Sequence, residues 1–160
     1  MVIKRTEHVP PMTELHGGDA ASASPIDIHG VQVPRALAQV ATEVERSRTI
    51  LDLEDDWDNA GAMGYAEDTW RRAVELLVRI AAAAWEEHGT RVEDIFVSPG
   101  DRGSIDLEIR TAGHELLMTV PADEDAEVRF YGDDGTWGSK QKGSFPIIKP
   151  NRWLAAWLAD

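Results

Sequence analysis

The chain contains no cysteine, few lysines and no long apolar run. Without cysteine it cannot form disulfides, thiolate zinc sites, iron–sulfur centres or a cysteine nucleophile. Its longest apolar stretch, IAAAAW at 80–85, is far shorter than the roughly 20 residues of a membrane-spanning helix. No apolar stretch follows the basic pair near the N-terminus, as a secretory signal would require. These absences predict a protein that works in a reducing cytoplasm and does not contact a membrane.

Positive charge is scarce and unevenly distributed. Lysine and arginine total 16 against 29 aspartate and glutamate residues, so the formal net charge is −13. Because nucleic acids bind mainly through clustered lysine and arginine, nucleic acid is an unlikely partner, and a protein with a basic surface is favoured. The exception is the segment 136–160, which carries four basic residues and one acidic residue.

The apolar residues change their period along the chain, and this change predicts the fold class. Over residues 34–53 and 70–89 they recur at three- and four-residue spacing, as in amphipathic helices. From residue 94 onward they alternate with polar residues, and the short links favour an antiparallel meander of about four strands. A last helix is expected at 150–160, opened by Pro150. The prediction is an α+β two-layer sandwich, with the helical pair and the C-terminal helix packed on one face of the sheet.

Composition also predicts the domain organisation. Residues 1–25 combine proline, glycine and small residues without an apolar period, so we expect a flexible tail. Residues 26–160 are then expected to form one domain around one core. Within it, IDIHGVQVP at 26–34 alternates around Gly30, which indicates a short hairpin or an added strand.

The segment DDWDNAGAMGYAE at 55–67 concentrates acidic residues between two predicted helices. An EF-hand calcium loop needs acids at its first and third positions, glycine at the sixth and glutamate at the twelfth. The residues that meet these needs are Asp56, Asp58, Gly61 and Glu67. The fifth position is Ala60, which offers no side-chain oxygen, so calcium would lack ligands. A divalent-metal-dependent enzyme that uses Asp56, Asp58 and Glu67 is one alternative for the function.

The other interpretation makes the loop a structural corner, and it is the one we favour. Glycine allows the turns, Glu67 favours the positive start of the second helix, and Trp57 is expected to be buried as a plug between the helices and the sheet. This interpretation accounts for the notable residues without an ion, so no metal or other cofactor is expected.

Two stretches carry a resemblance, DDWDNAGAMGYAEDTWRRAVELL at 55–77 and VSPGDRGSIDLEI at 97–109. Together they resemble a pattern of small uncharacterised bacterial proteins: a tryptophan–aspartate–glycine–alanine loop, a helix, and a hairpin that begins with proline and glycine. The resemblance covers residues 50–110, and Asn59 stands where the pattern has glycine. It implies a bacterial α+β domain without a particular activity. The occurrence of such proteins among mobile and conflict-related genes hints at a role in defence.

Common catalytic motifs are missing from the sequence. Ser139 and Lys142 form an S-x-x-K without the companion motifs of serine acyl-enzymes, which we interpret as a chance match. Asp106 and Glu108 share a strand face, which a solvated surface explains better than an acid–base pair. Phosphate-binding glycine loops, dinucleotide fingerprints and nucleophile elbows are absent. The sequence therefore favours a protein that is not an enzyme.

The segment 131–146 is predicted to be a loop that binds a partner. It combines aromatic surface with positive charge, and its candidate residues are Tyr131, Trp137, Lys140 and Lys142. Trp137 is the expected anchor if the loop is exposed, because tryptophan is enriched at binding hot spots. The commoner, structural alternative is that the aromatic residues are buried and the lysines only solvate a loop. Nucleic-acid contact through the same lysines is a further alternative.

These observations predict a non-enzymatic cytoplasmic protein that binds another macromolecule, a protein, through its acidic surface or the 131–146 segment. An inhibitor, antitoxin or immunity role in a bacterial conflict or defence system would suit it. The sequence leaves open the identity of the partner and the oligomeric state.

Overall fold

The computed structural model describes residues 23–149 and 151–160, so nearly all of the predicted tail at 1–25 lies outside the described residues. The described part contains three α-helices, a two-stranded sheet and a five-stranded sheet. In chain order the elements are β1 (Ile26–Ile28), β2 (Val31–Val33), α1 (Ala38–Ser47), α2 (Glu67–His88), β3 (Asp94–Pro99), β4 (Ile105–Arg110), β5 (Glu115–Val120), β6 (Val128–Asp133), β7 (Lys140–Phe145) and α3 (Arg152–Ala159). The predicted α+β class is confirmed.

The five-stranded sheet, here the main sheet, is an antiparallel meander in which β3 to β7 lie side by side in chain order. The predicted loop at 131–146 is wrong, because β6 continues to Asp133, a turn follows, and β7 pairs with β6. β7 could not be predicted from the sequence, because its inward positions include Gln141 and Gly143 and its apolar residues therefore do not alternate. A Cβ atom at Gly143 would lie 2.9 Å from the ring of Phe130, so that ring fills the space instead.

The helices pack on one face of the main sheet, as predicted. The core joins the apolar stripes of α1 and α2 to the inward residues of the strands. Trp70 is fully buried at its centre, and its indole N–H donates to the hydroxyl of Ser47 at 3.0 Å. The β1–β2 hairpin predicted around Gly30 is present and packs against α1 and α2.

The helix boundaries follow local signals. Turns of 3₁₀ helix precede and follow α1, so the predicted helix at 34–53 is a composite. Gly89 ends α2 with φ of 67°, the left-handed conformation of a helix C-cap. At the start of α3, the side chain of Asn151 accepts the backbone N–H of Leu154 at 3.3 Å. The predicted opener, Pro150, lies outside the described residues. No helix in the described part of the chain is both long and apolar enough to cross a membrane.

Candidate interaction surface

The acidic loop at 55–67 uses its carboxylates to hold its own backbone. Asp56 accepts the N–H of Gly61 at 2.8 Å. Asp58 accepts the N–H groups of Ala60 and Ala62 at 2.8 and 3.0 Å, and these bonds hold the pKa of Asp58 below its ordinary value. The loop is therefore closed by side-chain to backbone hydrogen bonds of the kind that shape turns.

The third metal candidate, Glu67, belongs to a different set of contacts. Its carboxylate lies 3.5 Å from the guanidinium of Arg48 and 3.4 Å from that of Arg71. Across residues 23–149 and 151–160, no group of three or more histidine, aspartate or glutamate side chains is placed to hold a metal ion. The structure thus does not bring Asp56, Asp58 and Glu67 together as one ligand set.

Trp57 lies on the surface, so the prediction that it is a buried plug is wrong. Its side chain is 41% exposed, and its ring centroid is 6.4 Å from that of Tyr65. It stands between Asp56 and Asp58, both of which are exposed while they close the loop. The loop is held by its own hydrogen bonds and, at its two ends, by Leu53 and Tyr65, which pack against the core. The buried tryptophan of this region is Trp70.

One end of the main sheet is strongly acidic. The hydroxyl of Tyr65 donates to the carbonyl of Gly100 at 2.8 Å, and Arg72 donates to the carbonyls of Pro121 and Ala122 at 3.1 Å. These contacts place the 52–66 loop beside the β3–β4 and β5–β6 turns. We call this the acidic end, and its exposed acids are Asp52, Glu54, Asp55, Asp56, Asp58, Asp101, Asp123, Glu124 and Asp125.

The outer face of the main sheet, on the side away from the helices, carries a row of apolar residues. The strand register places Phe96, Glu108, Leu117, Tyr131 and Lys142 beside one another from β3 to β7. This outer row includes two of the residues predicted to bind a partner, and its Phe96 and Leu117 side chains are 45% and 39% exposed. Phe96 and Leu117 were missed in the sequence, although each is apolar at an outward position of an alternating strand.

The charged residues beside the outer row are largely paired with one another. Arg110 contacts the carboxylates of both Glu108 and Glu115, and Lys140 lies 3.8 Å from Asp133. Charges of the two signs therefore balance locally, in contrast to the acidic end. A partner that covers this face would not have to bury an excess of one sign, which lowers the cost of desolvation.

The β6–β7 turn presents Trp137, whose side chain is fully exposed. Asp134 holds this turn, because it accepts the hydroxyl of Ser139 at 2.5 Å and the N–H of Thr136 at 2.8 Å. These two bonds, the one from Ser139 first, hold the pKa of Asp134 below its ordinary value. The predicted anchor is thus displayed on a turn with defined hydrogen bonds.

The predicted partner-binding residues come together on this hairpin. Lys140 lies with its Nζ 5.7 Å from the ring centroid of Tyr131, and contact with this phenol, followed by the charge of Asp133, raises the pKa of Lys140. Lys142 faces Tyr131 directly in the strand register. Tyr131, Lys140 and Lys142 therefore share the outer face, and Trp137 projects from the turn beside them.

Helix α1 seals the edge of the main sheet at β3. Glu43 is only 8% exposed, and its carboxylate accepts the backbone N–H of Val97 at 2.6 Å. Arg46 donates to the carbonyl of Val97 at 3.1 Å and to both oxygens of Glu43. This hydrogen bonding from Glu43 raises the pKa of Arg46. We call this the sealed edge, because both outward backbone groups of Val97 have partners.

The opposite edge, at β7, has its backbone groups open. Outward and inward N–H groups alternate along an antiparallel strand, and the ladder from β3 to β7 is in continuous register. Because the N–H of Val97 points away from β4, this alternation assigns the outward groups of β7 to Lys140, Lys142 and Ser144. Among the hydrogen bonds of the described residues, none reaches these backbone groups. We call this the open edge.

The chain has also been compared with known proteins at three levels. Neither a protein-family model, nor a curated protein, nor a solved structure matches it. The resemblance of residues 50–110 to small bacterial proteins therefore stays a prediction from sequence.

Proposed function

We propose that this protein is a non-enzymatic binding protein that recognises another protein through the outer row and the β6–β7 hairpin. The observation that carries the proposal is that the exposed Phe96 and Leu117 share a sheet face with Tyr131 and Lys142, and that no described helix covers this face. The exposed Trp137 lies on the adjoining turn. When one face of an antiparallel sheet packs on the core, the residues of the other face are ordinarily polar. Aromatic residues and arginine, with few unpaired charges, are instead typical of the centre of a protein interface.

The acidic end supports the prediction that the partner has a basic surface. Its acids lie on the 52–66 loop and two neighbouring turns, with Trp57 and Met63 exposed among them. A field of one sign accelerates the encounter with a surface of the opposite sign, whereas apolar contacts supply most of the lasting affinity. The acidic end would steer the partner, and the outer row would hold it.

Within this proposal, the protein acts in a bacterial cytoplasm as an inhibitor, an antitoxin or an immunity component. The size of the chain, its charge and the resemblance of residues 50–110 support that role. The proposed outcome of binding is that the partner is held or masked, with no bond made or broken by this chain.

Quantitative affinity capture from the native host tests the proposal. We expect Leu117→Asp to lower recovery of a specific partner by about tenfold, because it places a charge in the centre of the outer row. Ile148→Asp is the matched control, since Ile148 is 83% exposed but lies outside the outer face. Circular dichroism would confirm that both variants fold. Equal recovery with both variants, or no specific partner of the unmodified protein, would contradict the proposal.

The two alternative functions have less support. The metal-dependent alternative would need Asp56, Asp58 and Glu67 to converge, but Glu67 lies with Arg48 and Arg71 instead. Lys140 already lies beside Asp133, so a phosphate would compete with an existing pair. Calorimetric titration with calcium, magnesium and manganese would reveal the first alternative. A gel shift that survives moderate salt would reveal the second.

A further inference from the structure

We propose that the open edge binds an extended segment of a partner protein, which joins the main sheet as an additional strand beside β7 and alternates acidic with apolar residues. The inference rests on the proposed binding function and deepens it, because it gives the chemistry of the partner at one border of the same surface. Strand addition to an exposed sheet edge is a general mode of peptide recognition, with affinity from main-chain bonds and specificity from alternate side chains.

The backbone supplies the first argument. A strand edge with unpaired N–H and C=O groups is a template for another strand, and folded proteins usually cover or disrupt it. The sealed edge is covered, because Glu43 and Arg46 bind both outward groups of Val97. The outward groups of Lys140, Lys142 and Ser144 have no such partner in the described part of the chain. Among the described residues, α1 therefore covers β3 and binds it at Val97, whereas no hydrogen bond reaches the outward groups of β7.

Charge on the outer face supplies the second argument. Lys140 and Lys142 are exposed on that face; Lys140 lies 3.8 Å from Asp133, whereas Lys142 has no ion pair among the described residues. The neighbouring outward residues of an added strand would lie about 5 Å from them. Opposite charges in such cross-strand pairs are favourable, and like charges are unfavourable. A second copy of this chain that paired through β7 would place lysine beside lysine. The charges therefore favour a segment with acidic residues over self-association.

The inner face supplies the third argument. Beside the open edge, Gly143 has no side chain, and the ring of Phe130 lies over it. Trp153 of α3 lies 6.1 Å from Phe130 between ring centroids and is still 49% exposed. An apolar side chain opposite Gly143 would extend this aromatic cluster and cover Trp153. The inward residues of the added strand are therefore apolar, while its outward residues are acidic.

The test uses the whole protein, labelled with nitrogen-15, and a synthetic peptide of about eight residues that alternates glutamate with valine. We expect its chemical-shift changes to concentrate in 137–145 and to spare β3. Two control peptides should bind at least about tenfold more weakly, one with lysine in place of glutamate and one with alternate amides N-methylated. Absence of binding by any peptide at millimolar concentration, or equal binding of the lysine peptide, would overturn the inference.

Two variants and a control for each locate the binding on the open edge. Lys140→Glu combined with Lys142→Glu should weaken the glutamate peptide at least about tenfold and strengthen the lysine peptide, whereas Lys149→Glu should change neither. Lys142→Pro should abolish binding because it removes an outward N–H, whereas Lys142→Ala should weaken it only about threefold. Unchanged binding by the double variant, or dimerisation through β7, would overturn the inference.

The outcome also separates this inference from the proposed function. If the peptide does not bind but partner capture still depends on Leu117, the strand-addition inference is wrong and the binding function stands. If capture fails as well, both are wrong. If the peptide binds as expected and Leu117→Asp leaves peptide binding intact, the open edge and the outer row are separate parts of one interaction surface.

Discussion

The sealed and open edges of the main sheet differ in how they treat the same backbone groups. At β3, the outward N–H and C=O of Val97 bind Glu43 and Arg46, and Glu43 is nearly buried. At β7, the corresponding groups lie on a strand whose side chains are lysine, glutamine, glycine and serine until Phe145. The first edge is bound by α1, whereas no hydrogen bond within residues 23–149 and 151–160 closes the second.

The two edges differ in whether their contacts are part of the folded core. Burial of a carboxylate is costly unless an opposite charge and hydrogen bonds compensate for it, and Glu43 has both. Such a contact must form with the fold and stay formed. Lys142 is exposed and has no ion pair among the described residues, so its charge is available to a partner, whereas Lys140 would share its charge with Asp133. Lysine on an edge also deters pairing with a second copy, so the open edge can select its partner by charge.

The largest expected effect comes from proline placed at the outward position of each edge. Val97→Pro removes the N–H that Glu43 accepts, so we expect a loss of about 3 kcal/mol or more in the free energy of unfolding. Lys142→Pro removes an outward N–H without an internal partner, and we expect a loss of about 1 kcal/mol. Urea unfolding measures both, and Val97→Ala controls for the lost side chain. Equal losses at the two edges would contradict the comparison.

A somewhat smaller effect is expected from Glu43→Ala. It leaves the N–H of Val97 and the guanidinium of Arg46 without their partner beside a buried strand, at a cost of about 3 kcal/mol or slightly less. Glu45→Ala is the matched control on the same helix, because its pair with His29 is exposed and worth less than about 1 kcal/mol. Thermal unfolding of both variants gives the ranking. A mild effect of Glu43→Ala would mean that α1 does not hold the sealed edge through this residue.

The next effect concerns the inner side of the open edge. A Cβ atom at Gly132 would lie 2.5 Å from the ring of Trp157, so Gly132→Ala must displace this ring or the helix α3 that carries it. We expect a loss of about 2 kcal/mol, typical of overpacking, and a changed near-ultraviolet dichroism spectrum. Gly113→Ala is the control, because nothing lies within 4 Å of a Cβ atom there and its φ is not positive. If Gly132→Ala is as mild as the control, α3 is not fixed against the sheet.

The sequence predicts the fold wherever one period of apolar residues is maintained. The stripes of α1 and α2 and the alternation of β3 to β6 meet that condition, and their predicted packing is confirmed. β7 does not meet it, because Gln141 and Gly143 occupy its inward positions and the ring of Phe130, from the neighbouring strand, fills the space beside Gly143. When residues of a neighbouring strand fill the inward side of a strand, that strand needs no alternating apolar residues, and the sequence then shows no pattern that predicts it.

The candidate surface was predictable only in part, for a related reason. Tyr131, Trp137, Lys140 and Lys142 were recognised by residue type, but their common face depends on the strand that was missed. Trp70 has a helical period that predicts its burial, whereas Trp57 lies in a loop without a period, so its exposure could not be predicted from the pattern of apolar residues. The bond from Val97 to Glu43 joins residues 54 positions apart, and only the folded chain brings them together.

The smallest effect is expected in the turn that carries Trp137 beside the open edge. The hydroxyl of Ser139 and the N–H of Thr136 keep the folded pKa of Asp134 below the ordinary 3.8. Because the folded pKa is depressed, the stabilisation from Asp134 is complete above the ordinary value and is lost as pH falls through the folded pKa. We expect the indole signal of Trp137 to shift in that acidic range.

Carbon-13 titration of the carboxyl groups measures this effect directly. Ser139→Ala should move the pKa of Asp134 upward toward 3.8, because it removes the largest cause of the depression. Ser144→Ala is the matched control, since the hydroxyl of Ser144 donates to Glu127 and not to this turn. An unchanged pKa in Ser139→Ala would mean that the turn does not depend on this bond. The position of Trp137 would then not depend on the hydrogen bond from Ser139 to Asp134.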